Sequence, residues 1–205
     1  MPKQLILLRH AKSGWSDTGM RDFDRPLNKR GIHDASCMGK LMHDKGIQPD
    51  LMISSDAVRA LTTAKLVAHE IAYPTERIHT SHALYLAPPD ILLDAINNIS
   101  SDYENVLLVA HNPGMTELAN RLSKMHIDNL QTCGVFIVET ALPEWSTFGT
   151  TPASFMDTRS SNLSSVGLMR TEKGTVVSVP KRRAISSVSL QHFPLVIMEM
   201  HVRFT

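Results

Sequence analysis

The chain has 205 residues, 42% hydrophobic and 20% charged, which suits one well-buried domain and excludes a disordered or fibrous chain. A formal net charge of +1 gives no global field to draw in nucleic acid or an anionic membrane, and two cysteines, Cys37 and Cys133, are too few for a disulfide scaffold. The longest apolar run, Phe193 to Met198, is far short of a bilayer span, and Met1 to Gln4 lead into a strand-like segment without a signal-peptide pattern; the expectation is a soluble, cytoplasmic protein with reduced thiols.

Leu5 to Leu8 form a continuous apolar run, the mark of a strand buried on both faces of a largely parallel sheet. A helix is predicted from Asn28, its N-cap, to Lys45, with Ile32, Ala35, Met38 and Met42 inward and Gly46 as its stop. Leu51 to Ile53 read as a second strand. A helix follows to about Ala72, its stripe drawn through Val58, Leu61, Ala64 or Lys65, Ala68 and Ile71. A weak strand near Arg77–Thr80 precedes a helix from Pro89 to Ile99, with Ile91, Leu92, Ala95, Ile96 and Ile99 inward. Val106 to Ala110 form a third buried strand, Met115 to about Ser123 a helix, and Gly134 to Glu139 a further strand. Strands alternating with helices argue for a three-layer α/β/α sandwich on a mainly parallel sheet.

Composition shifts near Pro143–Thr150. Residues 146–205 carry seven Lys/Arg against three Asp/Glu, the first 145 carry fourteen against seventeen, and Ser and Thr fill 16 of the 44 positions from Ser146 to Ser189. The expectation is a domain over 1–145 and a basic, Ser/Thr-rich extension over 146–205. Within it, Thr175–Val179 and Leu195–Val202 are strand-like, the latter a candidate edge strand, while Ser160–Ser165 and Lys181–Ser189 read as loops.

Ligands of open parallel sheets bind beyond the carboxyl ends of the strands. Three polar clusters fall there: Arg9-His10, Ser54-Ser55 leading to Arg59, and His111-Asn112. Two arginines and two histidines suit a phosphoryl group, because guanidinium forks pair with its oxygens and imidazole can attack phosphorus or donate a proton. No Walker-type loop is present, and His79 and His82 lack a third ligand nearby, so no metal or cofactor is expected. Cys37 reads as a packed thiol, Cys133 as the start of a buried strand, and Arg30 as a solvated helix charge.

Leu5 to Ser16, Asp24 to Gly31, Ser54 to Ala64 and Val106 to Gly114 resemble, in order, four motifs of the histidine phosphatase superfamily, which includes phosphoglycerate mutases. The likeness covers about residues 3–140. Arg-His-Ala-Lys-Ser, the Asp-x-x-Arg-Pro-Leu segment, Leu84 to Ala87 and Leu130 to Val135 resemble the SixA-type phosphohistidine phosphatases within it. The resemblance implies a phosphoglycerate mutase-like fold, His10 as a nucleophile that becomes phosphorylated, and Arg9, Arg59 and His111 around the phosphate. It places Ser13 and Ser16 as substrate-binding residues in polar contact with phosphate, and Arg25 as a substrate-binding residue at the rim. The implied substrate is phosphohistidine on a protein, with a small phosphate monoester as the alternative. A weakly catalytic phosphoprotein-binding module is the reading from another class; oligomeric state stays open.

The chain departs from the superfamily at Ala11, where glycine is usual, and at His82 to Pro88, where mutases and many acid phosphatases carry an acidic proton donor. An alkoxide leaving group needs a proton in flight, since water's own pKa is about 15.7. Imidazole titrates near about 6.5 and can leave as a neutral, already protonated ring. A site without a strong acid therefore matches a P–N bond better than a sugar phosphate ester. Asp90, Asp17 and Asp22 stand as alternative proton sources.

Overall fold

The computed structural model describes residues 3–14, 19–123, 126–140, 143–148, 168–171 and 174–177. Strand β1 (Lys3–Arg9) lies at the centre of a seven-stranded sheet. Its apolar run divides between two cores. Leu5 and Leu7 face one side and Ile6 and Leu8 the other, all without solvent exposure, as a strand covered on both faces requires. Helices α1 (Lys29–Asp44) and α2 (Val58–Glu70) cover the Ile6 side; α3 (Pro89–Asn97) and α4 (Gly114–Ser123) cover the Leu5 side. This is the expected three-layer arrangement. Trp145 and Phe148 complete the Leu5-side core, with Trp145 Nε1 donating to the Tyr103 carbonyl at 2.8 Å.

With β2 (Leu51–Ser55), β3 (His79–Ser81), β4 (Asn105–Ala110), β5 (Val135–Thr140), β6 (Leu168–Thr171) and β7 (Gly174–Val177), the order is β3-β2-β4-β1-β5-β7-β6. The pairs β3–β2, β2–β4 and β4–β1 are parallel, and β5 runs antiparallel to β1. The β6–β7 hairpin extends the sheet beyond β5, so Thr175 to Val177 of the extension are strand as expected. Leu195–Val202, Ser160–Ser165 and Lys181–Ser189 lie outside the described residues. Among the described residues no helix is long and apolar enough to cross a membrane.

The helices lie where the sequence places them, but their faces differ in phase. Asn28 caps α1 by accepting from Gly31 N–H at 2.8 Å, and Gly46, at φ +67°, ends it. Ala35, Met38 and Met42 are inward, whereas Ile32 is 46% exposed. In α2 the buried face is Arg59, Ala60, Thr63, Ala64, Val67 and Ala68; Val58 and Lys65 are exposed and Leu61 half-buried. The cause is polar. Arg59 and Thr63 make buried hydrogen bonds to the loop after β1, and this turns the helix away from the purely apolar stripe. In α3, Leu92, Leu93 and Ile96 are buried and Ile91 is 40% exposed. Gly31 allows α1 to touch the loop after β1, because a Cβ there would stand 2.1 Å from the Lys12 carbonyl oxygen.

Candidate active site

Where β1 ends, the ladder with β4 closes on the pair Arg9↔Ala110, so His10 and His111 are the next residues on two adjacent parallel strands. Their rings meet with centroids 5.0 Å apart. His10 N–H donates to the Ala110 carbonyl at 3.1 Å, which keeps the chain in line one residue beyond the strand. The next amide, Ala11 N–H, donates to Thr63 Oγ1 at 3.0 Å, and the Thr63 hydroxyl donates to the Arg59 carbonyl at 2.7 Å. From the other side, Cys133 N–H is shared between the Arg9 and His10 carbonyls at 3.0 and 3.2 Å. Cys133 adopts φ +60° just before β5, so it buttresses the loop rather than simply opening the strand. Cys37 is half-buried on α1 with Sγ 3.5 Å from His33 Nε2, not a fully packed thiol.

The tautomer of His10 follows from its contacts. Nδ1 lies 2.8 Å from the Ala11 carbonyl, which can only accept, so Nδ1 carries the hydrogen and Nε2 keeps the lone pair. Arg59 Nε–H reaches that Nε2 at 3.4 Å. His111 Nε2 lies 2.9 Å from Ser55 Oγ, which itself accepts from Ala57 N–H at 3.3 Å. The Ser55 hydroxyl keeps a hydrogen that it can donate to His111 Nε2, and in that arrangement the His111 hydrogen sits on Nδ1. That nitrogen and Arg9 Nε are buried without a hydrogen-bond partner among the described residues. In that arrangement the two are buried donors that fit an incoming oxyanion.

Electrostatics keep both rings neutral. Burial lowers His10 from its ordinary value to about 4; the Arg59, Arg9 and Arg25 charges add to this, and the hydrogen bond to Ala11 opposes it. Burial lowers His111 to about 3, helped by His10, Arg59 and Arg9 and opposed by Asp22. Burial pushes Asp22 upward, but hydrogen bonds from Tyr85 and Arg25 and the Arg59 charge outweigh it, and the carboxyl is held at about 2. Burial and the bond to Asp22 raise the Tyr85 hydroxyl, and burial raises the Cys133 thiol.

The structure brings His10, Arg59 and His111 into direct contact. Arg9 joins them at the strand end, its Nη1 donating to the Leu130 carbonyl at 2.7 Å and to Asn129 Oδ1 at 3.1 Å. Ser13 and Arg25 are joined at the rim, Arg25 Nη2 donating to Ser13 Oγ at 2.6 Å. Ser16 and Asp17 lie outside the described residues. Arg30 is an exposed helix charge paired with Asp34, as expected. Of the alternative acids, two fall among the described residues. Asp22 is ionised, and Asp90 is an exposed partner of Arg121. Sequence reasoning missed Thr63, Tyr85 and the bonding role of Asp22. Tyr85 packs edge-on to His111 with centroids 5.5 Å apart, and Arg59 Cζ stands 5.7 Å from its ring centre. His82 pairs with Asp56 at 3.0 Å, and no group of three metal-ligating side chains occurs among the described residues.

Comparison with known proteins identifies the family. Residues 5–83 match the family model of the histidine phosphatase superfamily (branch 1). An uncharacterised chloroplastic protein of Arabidopsis thaliana is 32% identical over 151 residues, covering 70% of this chain and 69% of the relative. The crystal structure of a candidate phosphohistidine phosphatase SixA from Agrobacterium tumefaciens superposes with a TM-score of 0.61 at 29% identity, over 68% of this chain and 93% of that one. A protein histidine phosphatase SixA complexed with tungstate shares the fold, with a TM-score of 0.61 at 17% identity over 67% of this chain and 88% of that one. With four ordered motifs converging on one neutral histidine pair, the chain belongs to the histidine phosphatase superfamily.

Proposed function

We propose that the protein hydrolyses phosphohistidine on a protein substrate through a phospho-His10 intermediate. Phosphatase chemistry as such is supported by the family, and the choice of a P–N bond by one observation in the pocket. The carboxylate joined to its arginines, Asp22, is bound by Tyr85, Arg25 and Arg59 and held ionised at about 2, so it has no proton to give an alkoxide. The likeness to SixA-type structures points the same way.

The lone pair of His10 Nε2 attacks phosphorus as the P–N bond to the substrate ring breaks. That ring, already protonated on its other nitrogen, leaves as neutral imidazole. Bond formed and bond broken are of one kind, so little driving force is asked of the site. Arg9, Arg59 and the Nδ1–H of His111 stabilise the charge on the equatorial oxygens. Water then attacks phospho-His10, the electron pair returns to Nε2, and inorganic phosphate departs. Throughout, Nδ1–H stays bonded to the Ala11 carbonyl.

The test is phosphate release from a phosphohistidine peptide and from a panel of phosphate monoesters, with EDTA present and His10→Ala alongside. Preference for phosphohistidine, lost in the variant, is expected. Faster turnover of an alkyl ester would overturn the substrate assignment, since it requires a proton donor.

A further inference from the structure

The outer end of the Arg59 guanidinium is tied to one residue. Nη1 donates to the main-chain oxygen of Asp22, and Nη2 donates to its Oδ2 at 2.8 Å. A guanidinium carries five N–H groups in one plane. Fixing its outer end leaves the inner edge, Nε–H and the second Nη2 hydrogen, on the side of His10, whose Nε2 lies 3.4 Å from Nε. Asp22 is held in turn. The Tyr85 hydroxyl donates to Oδ2 at 2.7 Å, and Arg25 Nη1 donates to Oδ1 at 2.6 Å while its Nη2 reaches Ser13. The turn Asp22–Asp24, the nucleophile loop and α2 are thus joined through one carboxylate.

We propose that Asp22 is a positioning residue that sets the plane of the Arg59 guanidinium, so that its inner edge receives oxygens of the phosphoryl group moving to and from His10 Nε2. This rests on the pocket binding a phosphoryl group, not on which substrate supplies it.

The sign of the effect separates positioning from simple charge. Removing a negative charge beside Arg25 and Arg59 raises the local positive potential, and by Coulomb's law alone would tighten an oxyanion. Releasing Arg59 does the opposite, because a displacement of about 1 Å can cost about 10²-fold in rate. Geometry outweighs charge in this proposal, so the variant must lose.

Asp22→Asn preserves the shape but puts an amide donor where an arginine needs an acceptor. Two quantities are read: the vanadate dissociation constant by calorimetry, and kcat/KM on phosphate compounds with good and with poor leaving groups. The expected result is vanadate binding weakened about tenfold and kcat/KM lowered about 10- to 10²-fold, equally for both leaving groups. Vanadate bound as tightly as by the native protein, or tighter, overturns the proposal. So does a loss confined to poor leaving groups, which marks a proton donor. If Asp22→Asn fails to fold, Tyr85→Phe removes only the hydroxyl bond to Oδ2; a severalfold loss of vanadate affinity supports the proposal and none overturns it. Native protein that binds vanadate yet ignores phosphohistidine retires the substrate assignment and leaves this test standing.

Discussion

His10, the nucleophile of the proposed reaction, is prepared by subtraction: one ring nitrogen is committed to a carbonyl, and burial and three nearby arginines keep the other without a proton. An NMR titration should place the His10 ring midpoint at about 4 instead of the ordinary value near about 6.5. The sign for stability follows. Between those values the unfolded chain binds more protons than the folded one, so stability is full above about pH 6.5 and falls as pH drops towards the folded pKa. His111, lowered to about 3, acts in the same direction. A urea midpoint that rises on acidification through this window would contradict the burial of the pair. These histidines were legible because each follows an apolar strand inside a run of recognisable neighbours. Asp22 and Tyr85 were not. Their work lies in side-chain bonds reaching 37 and 63 residues along the chain, and spacing in a sequence does not encode such bonds.

Helix α2 shows how a polar demand changes the phase of an element. Its existence and ends followed from apolar periodicity, but the apolar stripe alone put Val58 and Leu61 inward. Thr63 decides otherwise, because its hydroxyl accepts from Ala11 N–H and donates to the Arg59 carbonyl, joining the helix to the His10 loop. Thr63→Val keeps the volume and removes both bonds, leaving a buried amide unpaired. The expected cost is about 1–3 kcal/mol in urea unfolding, with kcat/KM falling as the loop loosens. Unchanged stability and turnover would show that the loop is held by Cys133 and Ala110 alone. Ile32 and Ile91, which the periodicity placed inward, lie in the first turns of α1 and α3 and are 46% and 40% exposed, while Ala35, Met38 and Met42 and Leu92, Leu93 and Ile96 form the faces that pack.

At the scale of the whole molecule, strand–helix alternation foretold the layers and the parallel half of the sheet, but not the direction of β5. After α4 the chain returns to the carboxyl end of the sheet, where Asn129 and Leu130 meet Arg9 and Cys133 meets His10. It therefore starts β5 from that end and must run antiparallel to β1. The strand order has a further consequence for how the protein comes into being. β4 lies between β1 and β2, which do not pair with each other. A nascent chain that has left the ribosome only as far as α3 has a gap at the middle of its future sheet, with His10 and Arg59 on opposite sides of it. β4, six residues long, fills that gap and carries His111 to His10. A release series through residues 100–140 should show oxyanion binding appear only once both β4 and the 129–133 segment that braces Arg9 and His10 have emerged.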